Sequence, residues 1–156
     1  MARQLFGTAV DYGVVKVHNE KYLWFGMQPD DTAITPNGEL YFSPKRFRED
    51  FSTGSYSDSL WFMHEMVHVW QYQLGYPVKA RGAIRIGVDY HYELAPDKQL
   101  SDYNMEAQGD LLSDYWALKS YPHPPLHNNS YRDKLPLYET VLRKFIADPA
   151  DKGNLP

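Results

Sequence analysis

The sequence predicts a small α+β domain, and three observations carry that reading. Residues 60–74 are apolar on nearly every side and stop at Gly75 with Pro77 beyond it, the pattern of a buried helix. Residues 84–92 alternate, with Ile84, Ile86, Val88, Tyr90 and Tyr92 on one face and Arg85, Gly87, Asp89, His91 and Glu93 on the other, the period of a strand. Short β-branched and aromatic runs fill the first quarter of the chain.

In chain order, Val10, Tyr12, Val14, Val15 and Val17, then Tyr22, Trp24 and Phe25, predict a hairpin about the turn at His18, Asn19, Glu20 and Lys21. Thr35-Pro36-Asn37-Gly38 is a turn signal leading into Glu39-Leu40-Tyr41-Phe42, a short strand that Pro44 halts and marks for a sheet edge. Residues 45–57 are polar and loop-like, and Ser57 or Asp58 is placed to cap the helix that follows. Ser101 or Asp102 opens a second helix, with Met105, Leu111, Leu112, Tyr115, Trp116 and Leu118 near helical spacing until Tyr121-Pro122 ends it. Residues 122–129 read as a Pro/His/Asn loop, residues 135–146 as a last helix with Pro136 in its first turn, and residues 147–156 as a polar tail.

At 156 residues the chain fits one domain, spanning 1–156, with enough interior for a core. Cysteine is absent, which excludes disulfides, a thiol nucleophile and thiolate metal sites, so any metal must be held by His, Asp or Glu. Sixteen Lys and Arg against twenty Asp and Glu give a net charge of −4 without a basic block, which argues against a nucleic-acid partner. The N-terminal apolar stretch is too short and too Gly-interrupted for a signal peptide or a membrane span, so synthesis in the cytoplasm without membrane insertion is expected.

The chemistry is concentrated in the first long helix, which contains His64-Glu65-Met66-Val67-His68, an HExxH pattern. Positions four apart stack on one helix face, so both imidazoles can reach one ion, which the motif predicts to be a single zinc. Glu65 is rotated about 100° from His64 along the helix, where it can serve as general base toward an attacking water without ligating the metal. With six His and seven Glu in the chain, chance predicts only about 0.01 such matches, so coincidence is a poor explanation. The plainer reading, two hydrogen-bonded core histidines, would require several compensating buried partners.

Zinc needs a third protein ligand if one position is to stay open. A third His six residues after His68 is missing, since that position is Leu74. Two downstream Glu-x-x-x-Asp matches remain, Glu93 to Asp97 and Glu106 to Asp110. Pro96 interrupts the first, whereas the second lies within a predicted helix, so Glu106 is the expected ligand and Asp110 the expected orienter of a ligand histidine. Gly109 beside them weakens a helix by about 0.8–1 kcal/mol relative to Ala, which points to close helix packing. A solvated acidic face made by Asp110 and Asp114 is the bland alternative.

His64-Glu65-x-x-His68 followed by Glu106-x-x-x-Asp110 resembles the gluzincin branch of zinc metallopeptidases. More narrowly, the segments LWFMHEMVHVWQYQLG, Asp89-Tyr90-His91-Tyr92-Glu93-Leu94 and Tyr103-Asn104-Met105-Glu106-Ala107-Gln108 resemble the compact zincin-like domains at the C-terminus of VgrG spike proteins, or their Rhs/VgrG-associated counterparts, in type VI secretion. The resemblance spans residues 58–118 and implies a zincin-like fold. It also implies an antibacterial peptidase delivered to the periplasm of a target bacterium, with a VgrG-type spike, a cognate immunity protein and a peptide or protein substrate as partners. Two other functions fit the same motif: a zinc-stabilised binding module without catalysis, and a cytoplasmic housekeeping peptidase.

An oxyanion donor is not selected by spacing, and Tyr90, His91, Tyr92, Tyr103, His123, His127 and Tyr131 are all eligible. His91, on the polar side of the predicted strand, is weighed as a site residue against a surface histidine, and His123 and His127 are expected to be exposed. The strand at Glu39 to Phe42 is either an edge that pairs with an extended peptide or a covered structural strand.

Overall fold

The computed structural model describes residues 1–22, 28, 30–79 and 89–156. These form a mixed α+β arrangement: helix α1 (Ala2–Phe6), strands β1 (Val17–His18), β2 (Ala33–Ile34) and β3 (Leu40–Phe42), then helices α2 (Tyr56–Gln73), α3 (Met105–Ser120), α4 (Leu135–Val141) and α5 (Arg143–Ala147). Single 3-10 turns lie at Leu100–Asp102, Asn129–Tyr131 and Lys152–Asn154.

The three strands form one sheet in the order β1-β3-β2. β1 runs parallel to β3, with Val17 opposite Leu40, and β2 runs antiparallel to it, with Ala33 opposite Phe42. Along β3, Leu40 and Phe42 are buried while Tyr41 is half-buried, the alternation of a sheet with one face on the core.

This corrects two expectations. The hairpin predicted near the N-terminus is not formed among the described residues, because β1 takes the distant β3 as its partner. That pairing is fastened by Glu39, which receives Lys16 Nζ at 3.0 Å, His18 Nε2 at 2.9 Å and the Tyr41 hydroxyl at 3.1 Å. Trp24 and Phe25, assigned to the hairpin's second strand, lie outside the described residues. β3 is the central strand and not an edge: Ser43 still donates its backbone N–H to Thr32, and Pro44 follows only after the ladder has ended. The covered structural strand is therefore the reading that holds.

Helix α2 starts earlier than predicted, at a capping box. The Asp58 N–H donates to Ser55 Oγ at 3.2 Å and the Ser55 N–H donates to Asp58 Oδ2 at 3.3 Å, so Asp58 is the third helical residue and Ser55 the cap. Its end is as expected: Gly75 takes φ +99°, a left-handed conformation that favours glycine. Trp70 anchors α2 to both chain ends, stacking on Phe6 at 6.0 Å, meeting Phe145 edge-on at 5.4 Å, and donating its indole N–H to Pro149 O at 2.7 Å. The sequence reading missed α1, whose five residues are too few to show a helical period; its Phe6 is completely buried against this tryptophan.

Helix α3 begins at Asn104, whose Oδ1 accepts the N–H groups of Glu106 (3.0 Å) and Ala107 (2.9 Å), with a 3-10 turn where Ser101 and Asp102 were expected to open it. Helices α2 and α3 pack against each other and form the centre of the molecule. The predicted strand at 84–92 falls mostly outside the described residues, and its described end, from Asp89, is irregular chain. The carbonyls of Asp89, Tyr92 and Glu93 there accept side-chain donors from Asn104, Asn128 and Tyr103 instead of a strand partner.

The predicted helix at 135–146 is divided at Leu142 into α4 and α5. The tail is docked, because Gln108 Nε2 donates to Asn154 O at 3.0 Å and Asn154 is itself buried. No helix of the described residues is long and apolar enough to cross a membrane.

Candidate metal centre

Three of the predicted residues meet between α2 and α3. His68 Nε2 lies 3.2 Å from His64 Nε2 and 3.2 Å from Glu106 Oε2, and His64 Nε2 lies 3.3 Å from the same carboxylate oxygen. All three side chains are buried. Helical spacing stacks the two histidines, and the Asn104 cap fixes Glu106 in the first turn of α3, where the positive end of the helix favours its charge.

These atoms fit a small divalent cation. Ligands held about 2.0–2.2 Å from a tetrahedral ion lie roughly 3.3–3.5 Å apart, close to the separations found. The far nitrogen of each ring is already engaged: His64 Nδ1 is 2.8 Å from Asp110 Oδ1, and His68 Nδ1 is 2.8 Å from Gln71 Oε1. Gln71 in turn donates to Gln108 Oε1 at 2.9 Å and to Met105 O at 3.2 Å, which fixes which of its amide ends faces His68. Acceptors behind both rings hold hydrogen on Nδ1 and turn the Nε2 atoms toward the centre, the orientation that metal-ligating histidines require.

The electrostatics agree. Burial opposes a charge on His64, but its hydrogen bonds to Asp110 and Glu106 prevail and hold its pKa up at about 10. Burial likewise opposes ionisation of Glu106, yet His64 and His68 together hold its carboxyl well below the usual range. The site thus stabilises positive charge at its middle.

An open cavity of ≈ 580 Å³ gives access to the cluster, and its walls include Trp61, His64, Glu65, Tyr90, Glu106, Asp110 and His127. Glu65 stands on this wall, buried, with Oε2 accepting the Thr35 hydroxyl at 2.6 Å. A larger concavity of ≈ 670 Å³ between Tyr12, Phe47 and Phe62 has no histidine in its walls.

Asp110 lies one helical turn beyond Glu106 and touches His64 as expected. Of the oxyanion candidates, Tyr90 and His127 line the cavity. His91 and His123 are exposed and outside it, while the hydroxyl of Tyr92 is committed to Asp114 and Tyr138, that of Tyr103 to Glu93 O, and that of Tyr131 to the Leu94 N–H. Glu93 and Asp97, the competing acidic pair, are both exposed.

Three contributors were not foreseen. Thr35 is thirty positions from Glu65 and no spacing announces it. Gln71 was legible, since it follows His68 by three residues on the same helix face. Asp114 follows Asp110 by one turn and is wholly buried, not part of a solvated face.

No known family model matches the chain. It is similar to the type VI secretion system spike protein VgrG2b of Pseudomonas aeruginosa, with 39% identity over 128 residues that cover 77% of this chain. The match spans only 12% of that protein's length. Among solved structures it is similar to the effector domain of Pseudomonas aeruginosa VgrG2b, with a TM-score of 0.71 and 33% identity over 93% of this chain and 76% of that one. By that identity and coverage, the chain belongs to the family of the VgrG2b effector domain.

Proposed function

We propose that the protein is a zinc-dependent peptidase with a zincin-like fold across a single domain, and that it acts as a type VI secretion effector. The observation that carries the enzymatic reading is the convergence of His64, His68 and Glu106 on one point, with the carboxylate of Glu65 on the wall of the same open cavity. His64 Nε2, His68 Nε2 and Glu106 Oε2 would hold the ion. Zinc supplies Lewis acidity there, polarising an amide carbonyl and lowering the pKa of water.

The chain's own groups do the rest. Thr35 fixes one oxygen of Glu65, leaving the other to take a proton from the attacking water and pass it to the departing amine. Asp110 and Gln71 hold the two imidazoles in the tautomer that binds metal. Burial of the ligands excludes competing water from behind the site.

Membership of the VgrG2b effector-domain family supports an effector role in association with a VgrG-type spike. Delivery to the periplasm of a target bacterium and neutralisation in the producer by an immunity protein are further parts of the proposal, carried over from the sequence resemblance alone. Metal analysis of protein prepared without chelator tests the centre, and one zinc per chain is the expected result. Glu65→Gln should retain that zinc and lose peptide hydrolysis. Toxicity that survives Glu65→Gln would replace the enzyme with a non-catalytic binding module, and equal harmlessness of periplasm-directed and cytoplasmic expression would remove the toxin reading.

A further inference from the structure

The cavity over the metal centre has a second end that the chemistry at His64, His68 and Glu106 does not use. Its wall continues past Trp61 to Arg46, which is the one Lys or Arg among the described residues that line it. The acidic residues of the wall, Glu65, Glu106 and Asp110, stand at the metal end. A fixed positive charge at the opposite end therefore has a role to be explained.

Arg46 is held from several sides. Its backbone N–H donates to Ser43 O at 2.8 Å in the turn that follows β3, and the Ser43 N–H donates to Thr32 O at 3.1 Å, which ties that turn to the chain entering β2. Asp31, on the entering chain, takes the Nε and Nη2 edge of the guanidinium as a bidentate pair, with the Nη2 bond at 2.7 Å. Trp61 supports the planar face, its ring centre 4.9 Å from Cζ. The other edge, Nη1 with the second hydrogen of Nη2, has no acceptor among the described residues. A guanidinium fixed by one fork and one face keeps its second fork in a set direction at little entropic cost. Asp31 does not cancel the charge, because its side chain is 62% exposed and water screens the pair, whereas that of Arg46 is 33% exposed.

We infer that Arg46 is a specificity-determining residue, its open Nη1 and Nη2 edge receiving a substrate carboxylate within about three residues of the amide that is cleaved, and that Asp31 and Trp61 position it. The inference rests on the peptidase reading above and names a substrate class for it. Helical rise sets the distance: Trp61 precedes His64 by three positions on α2, about 4.5 Å along the axis. An extended peptide advances roughly 3.3–3.6 Å per residue, so a group reaching past Trp61 belongs to a near neighbour of the reacting amide. Ser57, from the first turn of α2, is on the same wall, where the positive end of that helix also favours an anion. The carboxylate comes from an Asp or Glu side chain or from the substrate's C-terminus, since both present the paired oxygens that match the fork. Lysine and arginine are disfavoured at that position by like charge.

The test uses the zinc-loaded chain and a mixed-sequence peptide library whose cleavage products are read by mass spectrometry. One position within three residues of the cut bond should be enriched in Asp and Glu over Asn and Gln. Synthetic peptides that differ only by Glu or Gln there should differ about tenfold or more in kcat/KM, chiefly through KM, the scale of one hydrogen bond to a charged group. Peptides with free and amidated C-termini form the second arm, and a preference that vanishes on amidation assigns the carboxylate to the chain end. Arg46→Gln should bring the Glu/Gln ratio close to one while zinc stays at one per chain. Arg46→Lys should keep an intermediate ratio, because the charge remains without the fork, and it carries the test if Arg46→Gln fails to fold. Glu65-dependent cleavage with no carboxylate preference overturns the assignment and leaves the peptidase standing, as does a Glu/Gln ratio that survives both substitutions. Absence of any Glu65-dependent turnover overturns both.

Discussion

Gly109 and His64 approach so closely that only a residue without a side chain fits: a Cβ at position 109 would stand 2.5 Å from His64 Cε1 and 2.9 Å from Nε2. The glycine sits inside α3, where it weakens the helix, and its place is explained by the imidazole resting on it. The two helices are thereby close enough for one metal to be shared between them.

Gly109→Ala therefore separates helix propensity from site geometry. Alanine favours the helix by about 0.8–1 kcal/mol, yet its methyl group must displace the His64 ring. The expected outcome is retained helical circular dichroism with zinc affinity lowered by at least about tenfold, read by chelator competition. Unchanged affinity would show that the ring moves without consequence.

Asp110→Asn tests the orienting hydrogen bond from the other side. The substitution conserves shape and still offers an oxygen at 2.8 Å from His64 Nδ1, but removes the charge that makes the imidazole a stronger donor to metal. A 10- to 100-fold weaker zinc affinity is expected, the usual range for losing such a partner. An equal affinity would mean that Asp110 serves only packing.

Proton release should accompany metal binding. His64 is held up at about 10, so near neutral pH it carries a proton that a metal must displace. Because the metal-free form binds the extra proton, raising the pH favours the metal form, and apparent affinity should climb about tenfold per pH unit between pH 7 and 9. Calorimetry in buffers of different ionisation enthalpy would report the release of about one proton, and a flat affinity across that window would contradict it.

The parts of this molecule that were legible in the sequence are those specified by local spacing. HExxH, the Gly75 stop and the Glu106/Asp110 pair are each defined within one or two helical turns, and the structure has HExxH on α2, Gly75 just past its end and the acidic pair on α3 facing the two histidines. What escaped depends on contacts between distant residues. β1 pairs with β3 because Glu39 gathers Lys16, His18 and Tyr41, and a two-residue strand carries no period of its own. Thr35 reaches Glu65 from a separate loop. His127 joins the cavity because buried Asp114 holds its backbone, a link visible only once α3 and the Pro-rich loop are set side by side. Tertiary context likewise decided whether Asp114 was surface or core.

The Glu39 cluster should make the sheet sensitive to acid. Hydrogen bonds from Lys16 and His18, with a smaller contribution from Tyr41, pull its pKa from the ordinary 4.5 down to about 2. Between those values the unfolded chain holds a proton that the folded chain does not, so stability rises with pH across the window. The stabilisation is fully present above about pH 4.5 and is lost as pH falls through 2. Glu39→Gln should accordingly melt at a lower temperature than the parent at pH 6, with the gap closing as both approach pH 2. High salt should narrow the gap at pH 6, since Lys16 is exposed and its attraction is screened. Melting curves followed by circular dichroism across that range decide the matter: a gap that stays constant from pH 6 to pH 2 would assign Glu39 a packing role and remove its charge from the account of why β1 lies against β3.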